Sequence, residues 1–169
     1  MATGLLIGLL VIGAFGLGLR LLMDRHAENR LRPGEAVALA ALTGPLPANA
    51  FLACPAGYCG VAEAATSPAF AIGADRLAEH WAELIAREPR IAAAFAEPDE
   101  RRFVLVQHSA ALRFPDVITV EFVALGADRS SLAVYSRARY GRYDFGVNRQ
   151  RVMAWLHRLQ QLAGPAAGQ

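Results

Sequence analysis

The 169-residue chain contains no lysine, only two cysteines, and four histidines. Each scarcity excludes something. His26, His80, His108 and His157 are scattered, and neither a His-x-x-x-His nor a Cys-x-x-Cys metal spacing occurs. There is no glycine-rich phosphate loop and no Gly-x-Ser-x-Gly nucleophile elbow. A pairing of Cys54 or Cys59 with His108 as nucleophile and base has nothing in the sequence to bring it together. No metal, cofactor or catalytic residue is therefore expected. The formal charge of +2 is too small to imply a nucleic-acid partner. All 17 basic residues are arginine, in an alanine-rich background, which reads as the composition of a GC-rich bacterial genome.

What the chain has in quantity is apolar sequence at its start. Residues 3–19 carry no charge, and the run continues past Arg20 through Leu21, Leu22 and Met23. About 20 helical residues span roughly 30 Å, the thickness of a bilayer core. No basic region precedes the run and no Ala-x-Ala site follows it, so an uncleaved single-pass transmembrane helix over residues 1–23 is expected, rather than a signal peptide. The lipid bilayer is then the first expected partner. Gly4 and Gly8 have the spacing at which two such helices approach closely. Arg20, Arg25, Arg30 and Arg32 follow the segment, which by charge asymmetry favours a cytoplasmic domain. Cys54 and Cys59 allow a small disulfide loop, which suits an oxidising compartment instead. The topology stays open on these grounds.

Residues 24–48 read as a tether and lead-in, with a break at Arg32-Pro33-Gly34 and a short alanine-rich helix after Glu35. The stretch from Asn49 to Pro68 has no clear period and is expected to be an irregular strap. A helix follows, capped at Ala74-Asp75, with Leu77, Trp81, Leu84 and Ile85 on one face. It stops at Glu88-Pro89. Four strands are expected over residues 91–96, 103–109, 117–125 and 132–138, joined by two tight turns and one longer loop around Arg113-Phe114-Pro115. A last helix runs from about Phe145 to Leu162, with Val152, Trp155, Leu156, Leu159 and Leu162 inward; residues 164–169 form a flexible tail. The expected fold class is α+β: a four-stranded antiparallel meander packed against two helices, in the order α-β-β-β-β-α, over residues 49–163.

The densest polar stretch runs from Tyr135 to Arg151, where a strand pattern gives way to a helical one. Strand alternation places Leu132, Val134, Ser136 and Ala138 toward the helices, and Tyr135, Arg137 and Arg139 on the opposite face. Arg137 and Arg139 lie about 7 Å apart there. They either hold an anionic ligand by bidentate guanidinium bonds or pair across strands with Glu121 on a solvated face. Asp144 is placed to cap the last helix on the amide of Val147 or its neighbour. Asn148 and Arg151, three residues apart, share a face of its first turn. Together with Asp116, these residues form a corner that either binds a small anionic ligand or protein partner, or holds the fold together.

One stretch resembles a known family. Ser136, Arg139, Gly141, Asp144, Gly146, Asn148 and Arg151 match the long motif of the family called domain of unknown function 1499, and the likeness runs from about Asn49 to Leu162. Ala138 departs from a serine of that motif, Asp116 keeps one of two acidic residues of an earlier element, and Asn49 with Cys54 is a looser match. The resemblance implies a small α+β domain behind one hydrophobic segment, with no established enzyme activity. Similar domains are often placed outside the cytoplasm, which implies the periplasmic side of a bacterial inner membrane and a Cys54–Cys59 bond. The expected role is a membrane-anchored accessory or binding domain. An enzyme of unrecognised type, or a structural subunit of a membrane protein complex, are the alternatives.

Overall fold

The computed structural model describes residues 30–31, 35–97, 101–110 and 113–163. The expected transmembrane helix, the Arg32–Gly34 break and the tail lie outside the described residues. Among those described, no helix is long and apolar enough to cross a membrane.

The domain is α+β, with strands β1 (Ala50–Cys54), β2 (Ala65–Thr66), β3 (Ile91–Glu97), β4 (Arg102–His108), β5 (Pro115–Gly126) and β6 (Arg129–Ala138). Helix α1 (Ala74–Ala86) precedes β3, and α2 (Val147–Ala163) follows β6. The strands form one six-stranded sheet in the order β2-β1-β6-β5-β4-β3. The expected four-stranded meander is its β3-to-β6 part, antiparallel throughout. The expected irregular strap is the correction. Ala50 to Ala53 pair antiparallel with Arg137 to Val134, and β2 then adds a parallel edge, so the sheet is mixed.

Both helices lie on one face. Leu77, Trp81, Leu84 and Ile85 of α1 and Val152, Trp155, Leu156 and Leu159 of α2 pack on Leu105, Ile118, Val120, Phe122, Leu132 and Val134. Trp81 is at the centre, edge-on to Trp155 at 5.4 Å and to Phe122 at 6.5 Å between ring centroids. Such edge-to-face pairs add about 0.5–1.5 kcal/mol each beyond burial. Leu162, expected inward, is largely exposed near the helix end. Helix α1 has Gly73 rather than Ala74 at its N-cap, with no side-chain cap, and Asp75 lies in its first turn.

The other face is not solvated. A 3-10 turn at Leu39–Ala41, in place of the expected alanine-rich helix, carries Leu39 onto it. Leu39 joins Leu52, Cys54, Val61, Ala133 and Tyr135 in a second apolar cluster, flanked by Val37, Leu42, Leu46 and Tyr58. With both faces covered, β5 is buried from Pro115 through Phe122. Burial of this face explains why Glu121 does not pair with Arg137 or Arg139. It is buried, and its carboxylate accepts from the Leu39 amide (3.1 Å), Arg102 Nε (3.0 Å) and the Tyr58 hydroxyl (2.9 Å). The charge is compensated, and the bonds from Leu39 and Tyr58 clasp the covering segment to the sheet.

Candidate functional site

The polar corner forms where β5 begins and β6 ends, because Asp116 lies opposite Ala138 in the antiparallel register. Asp116 and Ser136 sit on the helix-covered face, in line with Ile118 and Val134. The first turn of α2 brings Asn148 and Arg151 down onto them. Arg151 Nη1 donates to Ser136 Oγ at 2.9 Å and to Asn148 Oδ1 at 2.6 Å, while Nη2 binds the Asp116 carboxylate. The Ser136 hydroxyl donates to Asn148 Oδ1 at 2.5 Å. Asn148 Nδ2 donates to the Asn49 carbonyl at 3.0 Å, which ties the helix to the residue just before β1. Asn148 is fully buried, and Asp116 is only 4% exposed.

Asp144 performs the capping expected of it. Its Oδ2 accepts the Asn148 amide at 2.8 Å and its Oδ1 the Gly146 amide at 3.0 Å. Two otherwise orphaned amides at the start of α2 are satisfied in this way. Gly146 has a φ of +80°, a conformation that a glycine adopts without steric cost. Asn49 closes the corner from the other side: its side-chain amide donates to Ala138 O at 3.2 Å and Gly141 O at 2.7 Å.

Arg139 and Arg137 do not join this group. Arg139 points to the strap face, where its Nε and Nη2 each bind Glu35 at 2.7 Å in a bidentate pair, with the arginine side chain 3% exposed. Arg137 is exposed on that face beside Tyr135. The structure thus collects Asp116, Asn148, Arg151 and the capping Asp144, and separates Arg137 and Arg139 from them. Glu35, Tyr58 and Arg102 carried no local signal, since their partners are 104, 63 and 19 residues away.

Two groups titrate abnormally for clear reasons. Burial pushes the Asp116 carboxyl above the usual aspartate range, and the Arg151 guanidinium opposes this only in part. Burial and the bond to Glu121 push the Tyr58 phenol up to about 12. Cys54 and Cys59 are joined in a disulfide, so neither thiol is free.

Chemically, the corner is a closed network: every donor and acceptor named above meets a partner within it. What it leaves open is the loop it holds. Tyr143 is 69% exposed and Phe145 93% exposed, with Arg142 exposed beside them.

The family model described as a protein of unknown function, DUF1499, matches residues 62–159. The match takes in β2, both helices short of the last turn of α2, and the whole meander, and it starts later than the Asn49 suggested by the motif. No curated protein matches the chain.

Proposed function

Because the chain belongs to the DUF1499 family, to which no activity is attached, we propose a function from geometry. It is a membrane-anchored accessory domain that binds through the loop end of its sheet. The carrying observation is the contrast within one motif. Ser136, Asn148, Arg151 and Asp116 spend their bonding capacity on one another, while Arg142, Tyr143 and Phe145 of the intervening loop face outward. A network of this kind fixes a loop in place, and the loop makes the contact, whether with a small anionic ligand, a protein partner or a membrane complex. The uncharged run over residues 3–19 supplies the anchor in this reading. The bridged cysteines favour the periplasmic side of a bacterial inner membrane. They also remove the thiol that a cysteine enzyme would need.

The test separates loop from network. The double variant Tyr143→Ser/Phe145→Ser should melt like the native chain yet lose whatever lipid, ligand or protein co-purifies with the full chain in mild detergent, as read by native mass spectrometry. Arg151→Met should lose melting temperature and bound material together. Retention of all bound material by the loop variant, with loss confined to a fully stable Arg151→Met, would instead make the corner itself the binding site.

A further inference from the structure

The loop end carries a second element. Five of the nine exposed large apolar side chains among the described residues lie at this end: Phe114 in the β4–β5 loop, Tyr140, Tyr143 and Phe145 in the β6–α2 segment, and Val147 at the first residue of α2. Phe114 meets Tyr140 edge-on at 6.3 Å between ring centroids, so the two loops form one crown. Arg113 and Arg142 are exposed in the same two loops. The carboxylates at this end are already engaged: Asp116 by Arg151, Glu35 by Arg139, and Asp144 by two backbone amides. The crown is therefore aromatic and cationic, with no carboxylate left over among these. Phe145 adopts a φ of +54°, sparsely populated for a bulky side chain, while standing in solvent.

We propose that this crown docks on the headgroup region of an anionic bilayer, the chain's own membrane. This deepens the function proposed above and rests on its reading of residues 1–23 as an anchor. Aromatic side chains with arginines are the composition that favours a membrane–water interface. The length of chain before the domain supports the same occupant. Glu35 is clasped to Arg139, one residue from Tyr140. The 12 residues from Met23 to Glu35 can extend at most about 40 Å. A bilayer gripping the apolar run therefore keeps the crown within a short reach of its surface. At that effective concentration, weak contacts become occupied ones.

Photo-crosslinking of the full chain tests this. The protein is reconstituted in nanodiscs of equal parts phosphatidylcholine and phosphatidylglycerol, with p-benzoylphenylalanine placed at Tyr143, at Phe145 or, as a control at the opposite end of the sheet, at Leu125. Lipid adducts are expected at positions 143 and 145 and not at 125. Each arginine near an anionic surface contributes roughly a fivefold gain in occupancy. Arg113→Gln/Arg142→Gln should therefore cut the adducts at least about fivefold, and pure phosphatidylcholine should do likewise. Equal labelling at all three positions, no lipid adduct at 143 and 145, or adducts only to protein would each overturn the docking. Carbonate extraction of the same samples separates the two claims. A chain that stays in the membrane without lipid adducts at the crown overturns docking alone, and a chain that washes out overturns the anchor and docking together.

Discussion

Replacing Arg151 with methionine isolates what the corner contributes to stability. The change keeps the aliphatic stem and removes the guanidinium, which serves Ser136, Asn148 and Asp116 at once. The larger loss is electrostatic. Asp116 is 4% exposed and would remain without its cation. Breaking a buried pair by removing one partner costs about 3–5 kcal/mol. For a domain with about 5–15 kcal/mol in total, that is a large share. The cost must also depend on pH. Without Arg151 the folded-state pKa of Asp116 rises further, while its unfolded value stays near 3.9. The folded variant then binds a proton more tightly than the unfolded chain. Its stability relative to the native protein recovers as pH falls, by about 1.4 kcal/mol per pH unit between the variant's folded pKa and the lower folded pKa of the native chain. Urea unfolding of the detergent-solubilised chain, followed by fluorescence of Trp81 and Trp155, both buried in the core, measures it. The deficit should be about 3–5 kcal/mol at pH 7 and smaller at pH 5. Asp116→Leu/Arg151→Met should be less damaging than Arg151→Met alone. A pH-independent deficit under about 1 kcal/mol, or strictly additive double-variant losses, would refute the reasoning.

Further outcomes follow from the strap face and the disulfide. Tyr58→Phe removes one of the three donors to Glu121 and should cost about 1–3 kcal/mol in the same unfolding assay, with no loss indicating that water replaces the hydroxyl. In the native chain the Tyr58 phenol should titrate at about 12 by phenolate absorbance. Its folded pKa is raised, so the stabilisation is complete below about 10 and is lost as pH rises through 12. The Asp116 carboxyl carbon should titrate above the free aspartate value by NMR, and a midpoint below about 3.9 would contradict the dominance of burial over the Arg151 charge. Reducing Cys54–Cys59, which closes a short loop, should cost about 2 kcal/mol. A thiol count on protein taken directly from cells should be zero, and two free thiols would remove the argument for the periplasmic side.

Much of the fold was legible because its signals are periodic and local. The buried faces of α1 and α2 follow the 3.6-residue spacing of their Leu, Trp and Val residues, and the two faces of β6 follow simple alternation. Asp144 was legible as a cap because it lies just before an apolar helical stripe. The strap was not. Strand β1 has five residues and β2 only two, too few for alternation to stand out; β1 is specified by pairing with β6 more than 80 residues on, and β2 by pairing with β1. Missing β1 made the second face look solvated, and so suggested that Arg137 and Arg139 either bind an anion there or pair with Glu121. Glu35 and Asn49, which hold that face and the corner, act across 104 and 92 residues. Such a contact leaves no trace in local composition.

Hydrogen exchange of the full chain, read by mass spectrometry, puts the loop-end account to its most direct test. Amides of residues 140–146 should exchange more slowly in anionic nanodiscs than in detergent micelles, while those of the β5–β6 hairpin at residues 126–129 exchange equally in both. Unchanged exchange at 140–146, or protection confined to the 126–129 hairpin, would contradict the assignment of the working surface to the loop end of the sheet.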